Sequence, residues 1–285
     1  MLSVILSGLA LGSIYASIGL VYNLTYATTR VLSITAGFTF MIGGVLGAYF
    51  IDVLGLPALL GLLMTIVAGC LLGLVIELVA VRRVLGRSDQ HLWLLSTLAL
   101  STILQQTVAL WWGTEPRRFP RLFTQEFGGL LDQKYWLPIL AMLTLAAALE
   151  LFLRGSVFGK LFVAVSDDAE AAAARGIPVA AVRIGSFVLS GAVGTAAGFA
   201  AGQLTFAYFA LGFMLTLNGF IALAIGGLGS TAGAIVGGML LGLLTAFTTF
   251  FFGGAFQNSI STGVLVVVLL VLPTGFFGRR GVRVV

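Results

Sequence analysis

Charge is what this sequence has least of. Only 9% of its 285 residues are Asp, Glu, Lys or Arg, against about 25% in soluble domains. A chain this poor in charge does not fold as a water-exposed globule. It contains one histidine, His91, and one cysteine, Cys70. A single cysteine excludes an internal disulfide, and Cys70 reads as a small core residue in an apolar run. With one histidine, one cysteine and no paired carboxylates on one span, no catalytic constellation or metal cluster can be assembled. No residue is therefore assigned to catalysis or to a metal, and no cofactor is expected. The Gly-x-x-x-x-Gly-Lys-Ser/Thr run of a P-loop is missing, so the chain does not hold ATP in that way. The apolar runs show no convincing buried acid or base, which argues against a proton- or ion-coupled carrier. The net charge of +5 is scattered at the ends of apolar runs, with no basic face, so nucleic acid is not a partner.

Apolar length is what the chain does have. Hydrophobic residues make up 59% of it, and several runs reach the roughly 20 residues a bilayer-spanning helix needs. The fold class is all-α, a polytopic transmembrane helical bundle of about eight to nine segments, some short or broken, set in a lipid membrane. Residues 1–285 read as a single domain. The 38 glycines fit, since small residues let membrane helices approach closely. The first residues are apolar but lack a basic leader and a small-residue cleavage site, so they read as the first span. In order, spans are expected at Leu2–Tyr22, Arg30–Gly47, Pro57–Val81, Leu92–Trp112, Tyr135–Leu153, Ile184–Phe206, a short Thr216–Gly227, Ala232–Phe252 and Ile260–Leu272. Gly8 with Gly12, and Ser13 with Ser17, form small-xxx-small pairs on the first.

Basic residues orient the bundle. Arg82, Arg83, Arg87, Arg154, Lys160, Arg175, Arg183 and the terminal Arg279, Arg280 and Arg283 fall on one side of the alternating spans, which is assigned to the cytoplasm. The opposite loop, Gly113–Lys134, is near neutral. The N-terminus then lies outside, with the short Thr216–Gly227 segment counted as a crossing.

The longest charged interruption runs from Arg154 to Arg183 and holds a short helix with defined ends. Asp167 is placed to cap it, with Glu170 three residues on reaching back as in a capping box. Both acids also favour the positive end of the helix dipole. Ala169 to Ala174, broken only by Glu170, form the body, and alanine is the best helix former. Gly176 offers a left-handed cap and Pro178 blocks continuation. A helix of about eight small residues is marginal alone in water, so it reads as a docking element that enters a groove on another protein. Two further stretches are weakly helical: Ser33 to Gly43, and Gly226-Gly227-Leu228-Gly229-Ser230 with Gly233. Broken helices at membrane depth are tolerated where they are buried or line a cavity, and they point to a translocation site. Close packing of glycine-rich helices is the other reading. Gln105 and Gln106 read as interhelical hydrogen-bonding groups or path residues, His91 as an interfacial polar residue, and Glu150 with Arg154 as a boundary ion pair.

Several ordered motifs resemble the permease subunits of branched-chain amino acid ABC importers, the LivH/LivM type. Leu9-Ala10-Leu11-Gly12-Ser13-Ile14-Tyr15-Ala16 is similar to that family's opening motif. Val31-Leu32 through Met41-Ile42-Gly43 occupies the place of its second. Glu170-Ala171-Ala172 with Gly176 resembles the coupling-loop signature of importer permeases. Gly226-Gly227-Leu228-Gly229-Ser230 with Gly233, Gly237 and Gly238 is similar to its glycine motif. Ser33, Ala36 and Phe38 stand where the family pattern has Asn, His and Glu, and Asn218 where a Lys commonly stands. The later Ile-x-Leu-Pro of the coupling signature is missing.

The resemblance implies a translocation subunit in a bacterial-type inner membrane. Its partners would be cytoplasmic ABC ATPase subunits, a second permease subunit like or unlike it, and an extracytoplasmic binding protein. Asp167, Asp168, Glu170, Ala171, Ala172, Arg175 and Gly176 would form the ATPase contact within a cytoplasmic coupling loop, 154–183. Asn23, Ser33, Thr35, Ala36, Gly37, Phe38, Asn218, Gly226, Gly227, Gly229 and Ser230 would border the path, with the two breaks facing one cavity. The implied cargo is a branched-chain or related hydrophobic amino acid. The alternatives are another small solute, such as a sugar, nucleoside, urea or aromatic organic acid, carried by the same machinery, and a facilitator without an ATPase.

Overall fold

The structure is a computed structural model, and it describes residues 1–85, 92–122, 132–272 and 275–277. Arg87, Asp89, His91, Gln125, Glu126 and the terminal arginines lie outside the described residues. Among the described residues, eight helices are long and apolar enough to cross a membrane, and a ninth apolar helix is shorter. The chain is a multi-pass membrane protein, and its helices follow the expected spans with shifted ends.

Helix α1 spans Leu2–Thr29, seven residues beyond the expected Tyr22. At 28 residues it is about 42 Å long, more than the roughly 30 Å of hydrocarbon. Its last turns persist because the hydroxyls of Thr25 and Thr29 donate to carbonyls within the helix, and Thr28 bonds Ser186 across to a neighbour at 2.8 Å. It ends where Arg30 turns left-handed, at φ 56°. Residues 31–35 are not helical, so α2 covers only Ala36–Ala48 and continues through a π turn, Tyr49–Val53. The expected span from Arg30 therefore starts six residues late.

Helix α3 is Ala58–Ile76, followed by a second π turn, Glu77–Val81. Then come α4 (Leu92–Trp112), α5 (Gln133–Gly155), α6 (Val157–Asp167) and α7 (Ala169–Ala174). Helix α8 is Val179–Thr205, α9 Leu211–Gly226, α10 Thr231–Phe252 and α11 Gln257–Val271. At 16 residues α9 is about 24 Å long, short of the hydrocarbon thickness.

Helices α1 and α8 form the inside of the bundle, each 72% buried over its most apolar window, whereas the last crossing, Gly254–Val271, is 6% buried. Lipid is as apolar as leucine, so helix contact rests on close fit rather than on the hydrophobic effect. That fit is made of glycine. Gly8 and Gly12 of α1 meet Gly242 of α10, and Gly238 meets Ala16, with no room for a Cβ at Gly238 or Gly242. On α8, Gly191 faces the Gly69 carbonyl of α3 and Gly198 the Phe40 carbonyl of α2. Ser13 and Ser17, the other small pair, turn inward and bond their own helix.

The ends of the bundle sort the charges. Arg82, Arg83, Arg154, Lys160, Arg175 and Arg183 gather at one end with Arg30, whose guanidinium donates to Ser166 O of α6. At the other end Arg117 and Ala207 pair through their backbones. Phe119 seals that face between Gly47, Phe199 and Gly202.

The glycine contacts set a stability difference. Gly198→Leu should lower the melting temperature of the solubilised protein by about 3–10 °C, from the roughly 1–3 kcal/mol cost of overpacking. Gly263→Leu on α11, with nothing within 4 Å of its added Cβ, should change it by under about 2 °C. Equal shifts would mean that close approach at α8 does not hold the bundle.

Candidate functional site

The charged interruption folds as two helices rather than one. Ser156 caps α6 by accepting from Gly159 N at 2.9 Å. This helix went unread in the sequence, although Ser156 stands three residues before the Gly159 N–H it caps. Asp167 ends α6, so it is not the cap of the next helix. Asp168 is: its Oδ1 accepts from Glu170 N at 3.0 Å and Ala171 N at 2.9 Å. Adjacent aspartates are equally able to cap, and the length of α6 decides between them. Helix α7 is six residues long rather than eight.

Its far end closes as expected. Gly176 has φ 83°, and its N–H donates to Ala173 O at 2.9 Å, while Ile177 N donates to Ala172 O. Ala172 is 4% exposed and plugs α7 into the core beside Phe162, Val165 and Val182. Glu170, Ala171, Arg175 and Gly176 are exposed. The result is a small, well-capped helix fixed by one alanine, with its other face uncovered.

The first break runs through Ser33 and Thr35, whose hydroxyls bond each other at 2.7 Å. Both are buried, as are Ala36, Gly37 and Phe38. Thr216 of α9 holds this segment: its hydroxyl accepts from Gly37 N at 3.1 Å, and its proton lies within reach of Ile34 O and Gly212 O. Phe38 packs with Met41, Val45, Trp112 and Phe199. Asn218, 8% exposed, donates to Met214 O within its own helix.

The second break is a tight turn. Gly226 ends α9, Gly227 and Gly229 have φ 101° and 85°, and Ser230 caps α10 by accepting from Gly233 N at 3.0 Å. Gly226 and Gly233 touch backbone to backbone. The two breaks lie apart along α9. Thr216 and Gly226 stand at opposite parts of α9, ten residues or about 15 Å apart. Gly229 instead lines a groove of about 650 Å³ at the basic end, with Asn23, Leu24, Leu149, Lys160 and Asp167. Asn23 donates to Thr231 Oγ1 at 3.3 Å, and its Oδ1 is buried without a donor among the described residues. Ser230 lines an adjoining groove of about 610 Å³.

Glu150 and Arg154 pair at 2.7 Å on an exposed surface, which contributes little. Gln106 is exposed on α4 and Gln105 half-buried. One buried acid overturns the reading of spans without one. Glu77 is fully buried, and Arg183 Nε donates to its Oε1 at 2.8 Å. The signal was a lone acid inside the apolar run 58–81, masked by the nearby Arg82 and Arg83, which make it read as interfacial. Removing one partner of such a pair costs about 3–5 kcal/mol.

Comparison with known proteins matches residues 4–273 to the family described as "Branched-chain amino acid transport system / permease component". The chain is 30% identical over 300 residues to the "High-affinity branched-chain amino acid transport system permease protein LivH" of Escherichia coli (strain K12), covering 97% of this chain and 95% of that one. It is 28% identical to the corresponding BraD of Pseudomonas aeruginosa, over 98% and 96%. A probable LivH of Methanocaldococcus jannaschii is 27% identical over 90% and 86%. Among solved structures, "PsaBC from Streptococcus pneumoniae in complex with Fab" superposes with a TM-score of 0.52 over 96% of this chain and 92% of that one. At 14% identity that likeness concerns the fold alone.

Burial separates the two breaks experimentally. A cysteine at Ser230, in a Cys70→Ser background, should react with a small water-soluble thiol reagent in the resting protein. A cysteine at Ser33 should react at least about tenfold more slowly, given the 1% exposure of Ser33. Equal rates would contradict the placement of residues 31–35 inside the protein.

Proposed function

The chain belongs to the permease-component family of branched-chain amino acid transport systems, and on that premise we propose that it is the translocation subunit of an ABC importer. The protein would sit in a bacterial-type inner membrane as a single permease domain, with its basic end in the cytoplasm. A separate ATPase supplies energy, an extracytoplasmic binding protein delivers cargo, and a second permease subunit completes the path. This chain has a transport role and hydrolyses no ATP itself.

One observation carries the coupling assignment: α7 is capped at both ends, pinned by Ala172 and uncovered on its other face. A short helix in that setting gains its partner contacts from outside the chain. Closure of the ATPase dimer would displace α7, and with it the start of α8. Asp167 then belongs to α6, and the contact face comprises Glu170, Ala171, Arg175 and Gly176, with Asp168 and Ala172 holding the helix in shape.

For cargo, the reading is a zwitterion with an apolar side chain, such as leucine, isoleucine or valine. The proposed path residues Asn23, Ser33, Thr35, Ala36, Gly37, Phe38, Asn218, Gly226, Gly227, Gly229 and Ser230 carry no ionisable group. A fixed charge at membrane depth would be costly and would hold an opposite charge too firmly to release it. The buried members would reach the path when α9 moves, and Gly229 and Ser230 would border its cytoplasmic mouth. Selection would rest with the binding protein.

Glu170→Lys and Gly176→Val test the coupling role. Each should leave the membrane fold intact and reduce cargo transport at least about tenfold. At Gly176 a β-branched residue is strained by the positive φ, and that strain, about 1–2 kcal/mol, is local to the loop. Normal transport by both variants, with the ATPase still bound, would remove α7 from the role.

A further inference from the structure

We propose that the buried Glu77–Arg183 pair is the joint through which α7 moves the transmembrane helices. This rests on α7 being the ATPase contact, and it names the residues that carry the movement inward.

The link from α7 to Arg183 has little slack. Ile177 N bonds Ala172 O, Val179 N bonds Ile177 O, and Val182 N bonds Pro178 O, so the chain turns directly from α7 into the first turns of α8. Arg183 lies there, five residues into α8. Its guanidinium reaches across to α3 and donates to Glu77 Oε1 at 2.8 Å. A shift of α7 therefore arrives first at this pair.

The Glu77 side sits on irregular backbone. Glu77 opens the π turn Glu77–Val81, in which Arg82 N donates to Glu77 O at 2.7 Å. This π turn closes α3, and π geometry is rare and recurs at functional sites. Charges inside spans are rare as well, and mark function more often than stability. Holding α3 to α8 does not need this pair, because Gly69 and Gly73 already pack on the backbone of Gly191 and Phe187. A pair of apolar side chains would hold that contact as well as an ion pair does.

The pair also has a second arrangement open to it. Glu77 Oε2 is buried and accepts no hydrogen bond among the described residues. Arg183 presents a fork of donors, and a carboxylate can accept two of them side by side. The start of α8 can therefore rotate from a one-oxygen hold to a two-oxygen hold without leaving a charge unpaired. In this way α3 follows α8, while the glycine contacts deeper in the bundle act as the pivot.

The test uses the complete importer, with ATPase, second permease and binding protein, in vesicles containing leucine-loaded binding protein. For Glu77→Gln, ATP hydrolysis without binding protein should stay within about twofold of the parent, while leucine transported per ATP falls at least about tenfold. Arg183→Lys keeps the charge and should retain at least about a third of the parent coupling. A purely structural pair would change yield, and not this ratio. Glu77→Met with Arg183→Met leaves no orphaned charge and serves if Glu77→Gln does not assemble; it should assemble and show the same tenfold loss. Parent coupling in Glu77→Gln or in the double variant overturns the proposal, as does failure of both to assemble, which would make the pair a folding element. Glu170→Lys run in parallel separates the two ideas. If it uncouples while Glu77→Gln does not, the joint alone fails; if it couples normally, the α7 reading fails.

Discussion

Backbone that leaves the helix inside a membrane must find its hydrogen-bond partners within the protein. Thr216 answers that constraint for residues 31–35. Its single hydroxyl accepts from Gly37 N and lies within 3.1 Å of Ile34 O, so it serves both sides of the break. Tyr22 adds a donor to Thr216 O at 3.3 Å, and Val31 N finds Thr29 Oγ1. The break is thereby bound to α1 on one side and α9 on the other. Because α9 is short, its other end stops at Gly226, where the turn into α10 is made by glycines that tolerate positive φ. One helix therefore carries an irregular contact at each end, and movement of α9 would act on both.

The remainder of the bundle supports that arrangement by stiffness where it is glycine-packed and by freedom where it is not. α1, α2, α8 and α10 approach at backbone distance through Gly12, Gly43, Gly198 and Gly242. Such contacts are van der Waals fits with few alternative settings. The outer helices α4, α5 and α11 bury little, leaving apolar faces for lipid or a second subunit. On the proposed coupling role, energy delivered at α7 would enter a stiff inner group through α8, rather than dissipate in the periphery.

Much of this was legible in the sequence. The spans were, because apolar length has few meanings other than a bilayer. The break at Ser33 and Thr35 was, because those residues compete with helix through their own hydroxyls; the rest of the expected Ser33 to Gly43 stretch was not, since Ala36 to Gly43 are helical in α2. The glycine turn at 226–229 and the cap at Gly176 were, because positive φ selects glycine. What was not legible depended on distances along helices and on partners far in sequence. Asp168 rather than Asp167 is the cap because α6 runs one residue further than the alanine pattern implies. The two breaks are apart because ten residues of α9 lie between Thr216 and Gly226. The burial of Glu77 was not legible, since nothing near it in sequence names Arg183 as its partner 106 positions away.

The central claim is that transport through this chain is driven by an ATPase acting at α7. Its most direct measurement is leucine accumulation in vesicles that contain this chain with its second permease, ATPase and binding protein. The account predicts accumulation against a gradient that stops when ATP, the ATPase or the binding protein is left out. Leucine equilibrating at the same rate without ATP and without the ATPase would contradict it and make the chain a facilitator.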